Sequence, residues 1–101
     1  MSPVHEKIAG LLEQNKVVLF LKGTQQFPQC GFSARACAIL QDIGVKFQDV
    51  NVLEDEEIRQ GIKEFGNWPT IPQLYINKQL VGGSDIMMEM YQSGELQELL
   101  K

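Results

Sequence analysis

Apolar residues recur at helical spacing at the start of the chain and then form a continuous run. Residues 4–14 carry apolar positions on one helical face, with Ser2 as a candidate N-cap and Pro3 at the first helical position; this predicts an amphipathic helix. Residues 16–23 contain five consecutive apolar residues, a pattern typical of a strand that is buried on both faces. The chain is therefore predicted to begin with a helix and a central strand.

The same two patterns alternate through the rest of the sequence. Residues 31–43 again have a helical period, and Gly44 is suited to end that helix because glycine readily adopts the left-handed conformation of a C-terminal cap. A looser alternation over residues 45–52 predicts a second strand. After it we predict a helix from 54 to about 65, strands over 73–76 and 79–81 joined by a hairpin turn at 77–78, and a last helix over 86–91 that is interrupted near 93–94 and continues over 95–100.

This order of elements predicts an α/β fold. A strand, a helix and a strand in succession imply a parallel pair with a right-handed connection, and the closing hairpin adds antiparallel strands. A four-stranded mixed sheet flanked by helices on both faces accommodates all of them. The length of 101 residues fits a single domain covering the whole chain, 1–101.

Composition and charge narrow the classes of function. The chain is 44% hydrophobic and 22% charged with a net charge of −4, which is an ordinary globular balance and argues against non-specific nucleic-acid binding. No apolar run approaches the roughly 20 residues of a membrane helix, and the N-terminus lacks the cationic start and apolar stretch of a secretory signal. We therefore expect no nucleic-acid or membrane partner, and a chain that is soluble or cut from a precursor.

The two cysteines, Cys30 and Cys37, are too few for a disulfide scaffold. On one helix, residues seven positions apart are separated by about 10 Å, beyond the roughly 7 Å limit for a disulfide. We therefore expect free thiols and a reducing compartment.

Cys30 follows a polar loop and directly precedes the second predicted helix. Unpaired amides and the helix dipole at that position stabilise a thiolate, and Lys22 at the end of the strand acts in the same direction. The alternative is a buried, inert cysteine, which is the commoner state of free cysteines in general. The position at a helix N-terminus favours a reactive thiol.

Three segments carry a resemblance to a known family. They are Lys22-Gly23-Thr24 with Phe27-Pro28-Gln29-Cys30-Gly31-Phe32-Ser33, then Trp68-Pro69-Thr70-Ile71-Pro72-Gln73, and Gly82-Gly83-Ser84-Asp85-Ile86. The chain resembles the monothiol glutaredoxins, whose signature is C-G-F-S, from its first helix to its last. The resemblance implies the thioredoxin fold, which agrees with the element order.

The C-G-F-S segment lacks a second thiol three residues after the first. Ser33 stands there, and it forms hydrogen bonds but cannot resolve a mixed disulfide. Many relatives have an additional cysteine at the position of Ser84, so this chain also lacks that resolving thiol. We predict that Cys37 is a small core residue.

The segment Thr70-Ile71-Pro72 resembles the family's cis-proline turn beside the reactive thiol. On base rates alone a trans proline would be expected, since X-Pro bonds are cis only about one time in twenty. The resemblance instead implies a cis bond before Pro72 and a trans bond before Pro69. The backbone of Ile71 would then be free to pair with an extended peptide.

The segment Gly82-Gly83-Ser84-Asp85 precedes a predicted helix and is a candidate anion site, because glycines allow close backbone approach and the following amides are unpaired. Alternatively, Ser84 or Asp85 is a simple N-cap. The resemblance implies that the amides of Ser84 and Asp85 bind the γ-glutamyl carboxylate of glutathione and that Asp85 accepts from its amine.

Arg59 and Lys63 lie one helical turn apart and, with Lys22, form a second candidate anion site. The resemblance implies that this site receives the glycine carboxylate of glutathione. The alternative is an exposed helix face that balances the acidic residues 54–57. Arg59 matches the family position, whereas for Lys63 both interpretations stay open.

Iron–sulfur clusters are held by four ligands, usually thiolates, and one reactive cysteine is too few. The resemblance implies a [2Fe-2S] cluster bridging a homodimer, held by Cys30 of each subunit and two glutathione thiolates. It also implies BolA-like proteins and apo iron–sulfur proteins as partners. The alternatives are a glutathione-dependent oxidoreductase using Cys30, and a redox-inert binding module. The expected location is the cytoplasm, or an organelle stroma or matrix if the chain is a processed form.

Overall fold

The computed structural model describes residues 2–101. Its helices and strands are α1 (Pro3–Gln14), β1 (Val17–Leu21), α2 (Gly31–Ile43), β2 (Gln48–Asn51), a 3₁₀ turn (Val52–Glu54), α3 (Glu56–Phe65), β3 (Gln73–Ile76), β4 (Gln79–Gly82), α4 (Ser84–Ser93) and α5 (Glu95–Leu99). No helix in this part of the chain is both long and apolar enough to cross a bilayer.

The four strands form one mixed sheet in the order β2-β1-β3-β4. β1 runs parallel to β2, with Phe20 opposite Val50, and antiparallel to β3, with Phe20 opposite Gln73. β3 and β4 form an antiparallel hairpin. The predicted mixed sheet is confirmed, and its arrangement is that of the thioredoxin fold.

The helices cover both faces of the sheet, as predicted. All five residues of β1 are buried and alternate between two hydrophobic clusters. The first cluster joins β1 to α2, α4 and α5 through Leu19, Leu21, Leu40, Met87 and Leu96. The second joins β1 to α1 and α3 through Val18, Phe20, Ile8 and Ile62. The central strand therefore contributes to the core on both sides.

The predicted caps of the first two helices are confirmed. The Ser2 side chain accepts a hydrogen bond from the amide of His5 at 3.3 Å and starts α1. Gly44 has a φ of 85°, and its amide donates to the carbonyls of Leu40 and Gln41 at the end of α2. These local bonds satisfy backbone groups that the helix ends leave unpaired.

The second strand is shorter than the predicted 45–52. The amide of Val45 donates to the carbonyl of Leu40 rather than to a strand, and Val45 and Phe47 pack against the first cluster from outside the sheet. The Asn51 side chain then accepts from the amide of Leu53, which starts a 3₁₀ turn. The apolar character of Val45 and Phe47 therefore reflects packing against the first cluster and not strand pairing, and only four residues pair with β1.

The starts of α3 and α4 also differ from the prediction. Asp55 caps α3 by accepting from the amide of Ile58 at 3.2 Å, so α3 begins at residue 56 and not at 54. α4 begins at Ser84, two residues earlier than predicted, because Gly83 occupies its N-cap position. The predicted interruption is confirmed, since Gly94 has a φ of 87° between α4 and α5.

Candidate functional site

Cys30 is the N-cap residue of α2. Its extended backbone, with φ −148° and ψ 157°, turns the sulfur toward the first turn of the helix. The amide of Ser33 donates to Cys30 Sγ at 3.3 Å, and the Ser33 hydroxyl oxygen lies 3.3 Å from the same sulfur. The sulfur therefore occupies the place that a capping oxygen holds in other helices.

Ser33 is fully buried, and its hydroxyl oxygen makes a second contact that determines which way the hydroxyl hydrogen can point. The amide of Lys22 donates to Ser33 Oγ at 3.1 Å. Because this amide uses one of the oxygen's lone pairs, the hydroxyl hydrogen is free to point at Cys30 Sγ. The arrangement offers two donors to the sulfur, which favours its thiolate form.

The pKa of the Cys30 thiol lies below the ordinary value of a cysteine. Partial burial raises it, but hydrogen bonds from the side chain and amide of Ser33, a bond from the amide of Phe32 and the charge of Lys22 together outweigh burial. The lowered pKa was predicted from the helix N-terminus and Lys22. The structure adds Ser33 as the strongest of the stabilising groups.

A tight loop holds Cys30 at the end of β1. The amide of Gln29 donates to the carbonyl of Lys22 at 2.8 Å, and the amide of Gly23 donates to the Asn51 side chain at 2.9 Å. Gly23 has a φ of 97°, and a Cβ at this position would lie 2.5 Å from the carbonyl oxygen of Phe27. Only glycine fits this turn without displacing the loop that precedes Cys30.

A groove of about 390 Å³ lies beside the Cys30 loop, within the range of about 300–1,000 Å³ for small-molecule sites. Its lining residues are Lys22, Phe32, Lys63, Trp68, Pro69, Thr70, Ile71, Pro72, Gly83, Ser84, Asp85 and Ile86. Six of the residues predicted to bind a ligand therefore come together in one place: Lys22, Ile71, Pro72, Gly83, Ser84 and Asp85.

One wall of the groove is the segment between α3 and β3. The peptide bond between Ile71 and Pro72 is cis and the bond before Pro69 is trans, as predicted. No hydrogen bond within residues 2–101 involves the backbone of Ile71. This backbone is therefore available to an extended peptide lying in the groove.

The opposite wall is the N-terminus of α4. Gly83 is its N-cap, and no side chain in the described part of the chain caps the helix, so the interpretation of Ser84 or Asp85 as a simple N-cap is wrong. A Cβ on Gly83 would lie 3.3 Å from the carbonyl oxygen of Pro72. Because Gly83 has no side chain, the space between the uncapped amides of α4 and the facing wall stays open. An anion site at a helix N-terminus requires such access to unpaired amides. The carboxylate of Asp85 is paired with Arg35 at 3.2 Å.

The positively charged residues that line the groove are not all of those predicted from the sequence. Lys22 and Lys63 line the groove, whereas Arg59 is not among the lining residues. The Arg59 guanidinium instead pairs with Glu56 at 3.2 Å on the same helix. A role for Arg59 in ligand binding stays a prediction, and the geometry favours Lys63.

Cys37 lies in the first hydrophobic cluster and is 2% exposed, which confirms its predicted place in the core. Burial, with a smaller effect from the charge of Asp49, raises the pKa of its thiol to about 11. Both cysteines are free. Within residues 2–101, no group of three or more His, Cys, Asp or Glu side chains is placed to hold a metal ion.

Two polar residues of the site were missed by the sequence analysis. The sequence analysis interprets Ser33 only as a residue that cannot act as a second thiol. Its position three residues after Cys30 is also that of a residue that caps the start of a helix together with the N-cap residue. Gln73 belongs to a predicted strand and to the second resembling segment, but neither predicts that its side chain is fully buried beneath the groove wall. A glutamine at a strand's first position gives no sequence signal for this role.

The comparisons with known proteins agree with this geometry. Residues 17–81 match the family model of glutaredoxin. The chain is 58% identical over 95 residues to an uncharacterized monothiol glutaredoxin ycf64-like of Synechocystis, covering 94% of this chain and 89% of the relative. It is 56% identical over 93 residues to the chloroplastic monothiol glutaredoxin-S14 of Arabidopsis thaliana, covering 92% of this chain and 54% of that protein.

A solved structure shows the same architecture. The solution structure of reduced poplar apo GrxS14 matches with a TM-score of 0.82 and 52% identity, covering 92% of this chain and 85% of that one. The fold and the cysteine at the start of α2 define a thioredoxin-fold domain with one thiol of lowered pKa at a helix N-terminus. The chain belongs to the glutaredoxin family and, within it, to the monothiol glutaredoxins.

Proposed function

We propose that this protein binds glutathione in the groove and stores and transfers a [2Fe-2S] cluster. Two chains would each contribute Cys30, and two glutathione molecules would contribute the remaining thiolates. The observation that carries the proposal is one thiol with a lowered pKa beside a groove that has anion-binding groups on two sides. The proposed recipients are apo iron–sulfur proteins, with BolA-like proteins as further partners.

The groove offers groups for each part of the tripeptide. The uncapped amides of α4 suit the γ-glutamyl carboxylate, and Asp85 suits the amine. The free backbone of Ile71 suits the central peptide unit. Lys22 and Lys63, with Arg59 as the further candidate, suit the glycine carboxylate.

The donor set fits a cluster shared between two chains. An iron–sulfur cluster needs about four ligands, usually thiolates. Cys37 is buried with a pKa of about 11, so each chain offers only Cys30. Phe27 and Phe32, which flank Cys30 in the sequence, are 73% and 59% exposed. A second copy facing Cys30 would cover this apolar surface.

The alternative function is a glutathione-dependent thiol–disulfide oxidoreductase, which the lowered pKa of Cys30 favours. The Cys30 thiolate would attack the glutathione sulfur of a glutathionylated thiol, forming a Cys30–glutathione disulfide and releasing the substrate thiolate. A second glutathione thiolate would then release oxidised glutathione and regenerate Cys30. Neither Ser33 nor Ser84 can replace that second glutathione, so turnover would be slow.

The expected location is the cytoplasm, or the stroma or matrix of an organelle if the chain is a processed form. The chloroplastic relative supports the second possibility. A reducing compartment fits both, because the two thiols of this chain are free.

Anaerobic reconstitution with iron, sulfide and glutathione tests the proposal. We expect a coloured dimer with about two irons per two chains, seen by visible absorption, iron analysis and size exclusion. Cys30→Ser should lose the cluster, whereas the matched variant Cys37→Ser should retain it. A colourless monomer, under conditions that load a control glutaredoxin, would contradict the proposal.

Two activity assays separate the two functions. We expect transfer of a preformed cluster to an apo-ferredoxin, and glutathione-coupled disulfide reduction well below that of a dithiol glutaredoxin measured in parallel. Reduction that matches the dithiol control, together with no cluster transfer, would make the oxidoreductase the better description.

A further inference from the structure

Gln73 is a polar residue that is fully buried at the first position of β3. Its side-chain nitrogen donates to the carbonyl of Trp68 at 3.0 Å and to the carbonyl of Thr70 at 3.2 Å. These two carbonyls lie on either side of Pro69. One side-chain amide therefore forms hydrogen bonds to the backbone on both sides of Pro69, in the short segment that forms the groove wall.

The orientation of the Gln73 amide is fixed by a third bond. The Tyr75 hydroxyl donates to Gln73 Oε1 at 3.1 Å, because side chains two apart on a strand share a face. Burial raises the pKa of Tyr75 to about 12, so this hydroxyl stays protonated and remains a donor. With its oxygen engaged by Tyr75, Gln73 can present only its NH₂ group to the wall.

Gly66 provides the space for this contact. A Cβ at Gly66 would collide with the hydroxyl oxygen of Tyr75 and would lie 3.0 Å from Gln73 Oε1. The amide of Trp68 also donates to the carbonyl of Lys63 at 3.0 Å, which ties the start of the wall to α3. The wall is thus held from behind by buried bonds, while its other surface lines the groove.

We propose that Gln73 is a positioning residue that holds the wall formed by residues 68–71 in the conformation that binds the tripeptide. This inference rests on the proposed binding of glutathione in the groove. Gln73 is not among the lining residues, so it acts through the backbone that it anchors. Preorganisation of this kind improves affinity by removing the cost of ordering the wall when the ligand binds.

The chemistry of the amide distinguishes this role from simple core filling. An apolar side chain of similar size fills the same volume but leaves the carbonyls of Trp68 and Thr70 without their partner. An ionised glutamate would place an acceptor opposite those two carbonyls. An amide in this orientation satisfies all three neighbours.

Titration calorimetry with glutathione on Gln73→Met and on the control Ile8→Val, a buried residue outside the groove, tests the proposal. Gln73→Met should weaken binding about tenfold, which corresponds to roughly 1.4 kcal/mol. Ile8→Val removes one methylene from the second hydrophobic cluster and leaves all three bonds of Gln73 in place, so its affinity should stay within about twofold of the wild type. Equal affinity losses in the two variants, or none in either, would overturn the proposal.

Trp68 is the only tryptophan of the chain and supplies a ligand-free readout. In Gln73→Met acrylamide should quench the fluorescence of Trp68 more strongly than in the wild type, and in Ile8→Val it should not. Failure of the wild type to bind glutathione would refute the proposed function alone. Unchanged quenching in Gln73→Met would refute the positioning role whatever the ligand is.

Gln73→Glu provides a second route if Gln73→Met does not fold. A protonated carboxyl donates one hydrogen bond to the wall and an ionised one donates none, and burial raises the pKa of such a carboxyl. Affinity for glutathione should therefore fall as pH rises, relative to the wild type at each pH. Wild-type affinity at every pH would overturn the proposal.

Discussion

The hydroxyl oxygen of Ser33 lies 3.3 Å from the sulfur of Cys30, at the position where a dithiol glutaredoxin has its second thiol. The same residue donates its amide to that sulfur. Ser33 therefore contacts the Cys30 sulfur directly, in addition to replacing a thiol that could resolve a mixed disulfide. It lowers the pKa of the Cys30 thiol while offering no second thiol that could form a disulfide with it.

The first prediction concerns Ser33→Ala. This variant loses the hydroxyl bond to Cys30 Sγ but retains the amide bond, so the pKa of the Cys30 thiol should rise. The alkylation rate with iodoacetamide, measured across pH, should have its midpoint at higher pH than in the wild type. Ser93→Ala, an exposed serine at the end of α4, is the control. An unchanged midpoint would assign the low pKa to the backbone amides and Lys22 alone.

The second prediction is selective modification of the two cysteines. At neutral pH an alkylating agent should modify Cys30 and leave Cys37 intact, because Cys37 is buried and has a pKa of about 11. Mass spectrometry of the folded protein should show one label, and denatured protein should show two. Rapid labelling of Cys37 in folded protein would contradict its assignment to a rigid core.

The third prediction compares Lys63 with Arg59. Lys63 lines the groove, so Lys63→Ala should weaken glutathione binding by about 1–2 kcal/mol, a value reduced for solvent screening. The sequence predicts a loss for Arg59→Ala as well, yet Arg59 is paired with Glu56 and lies outside the lining, so its loss should be smaller. Titration calorimetry on both variants decides between them. A larger loss for Arg59→Ala would restore it as the principal partner.

The fourth prediction concerns two glycines with opposite environments. Gly23→Ala should destabilise the protein by roughly 1–3 kcal/mol, because its φ of 97° is strained for alanine and the Cβ would meet the carbonyl of Phe27. Gly10→Ala should stabilise α1 by about 0.5–1 kcal/mol, since nothing lies within 4 Å of its Cβ. Urea unfolding measures both changes. Equal effects would contradict the strain assigned to Gly23.

The elements that could be predicted from the sequence are those with strong local signals. The buried run of β1 and the capped helix ending at Gly44 were both identified from pattern alone. The predicted β2 is too long because Val45 and Phe47 are apolar for another reason, their packing against the first hydrophobic cluster. Periodicity detects which residues are buried, and it does not tell which neighbour buries them.

The site was predictable where a motif fixes the backbone. The segments around Ile71 and Gly83 converge on one groove, as the resemblance implied. The contributions of Ser33 and Gln73 depend on contacts with residues distant in sequence or across a turn, such as the bond from the Lys22 amide to Ser33. Arg59 and Lys63 share one face of α3, so which of them lies beside the groove depends on where the helix axis places each turn relative to the groove, and spacing alone leaves this open.

The two-sided burial of β1 also bears on how the molecule unfolds. Val18 and Leu19 belong to different hydrophobic clusters although they are neighbours on one strand. Neither layer of helices can detach without exposing part of this shared strand, so the two layers should lose their structure in one cooperative transition. Amide protons of β1 should then exchange with solvent only through global opening, whereas those at the ends of the outer helices exchange by local fraying.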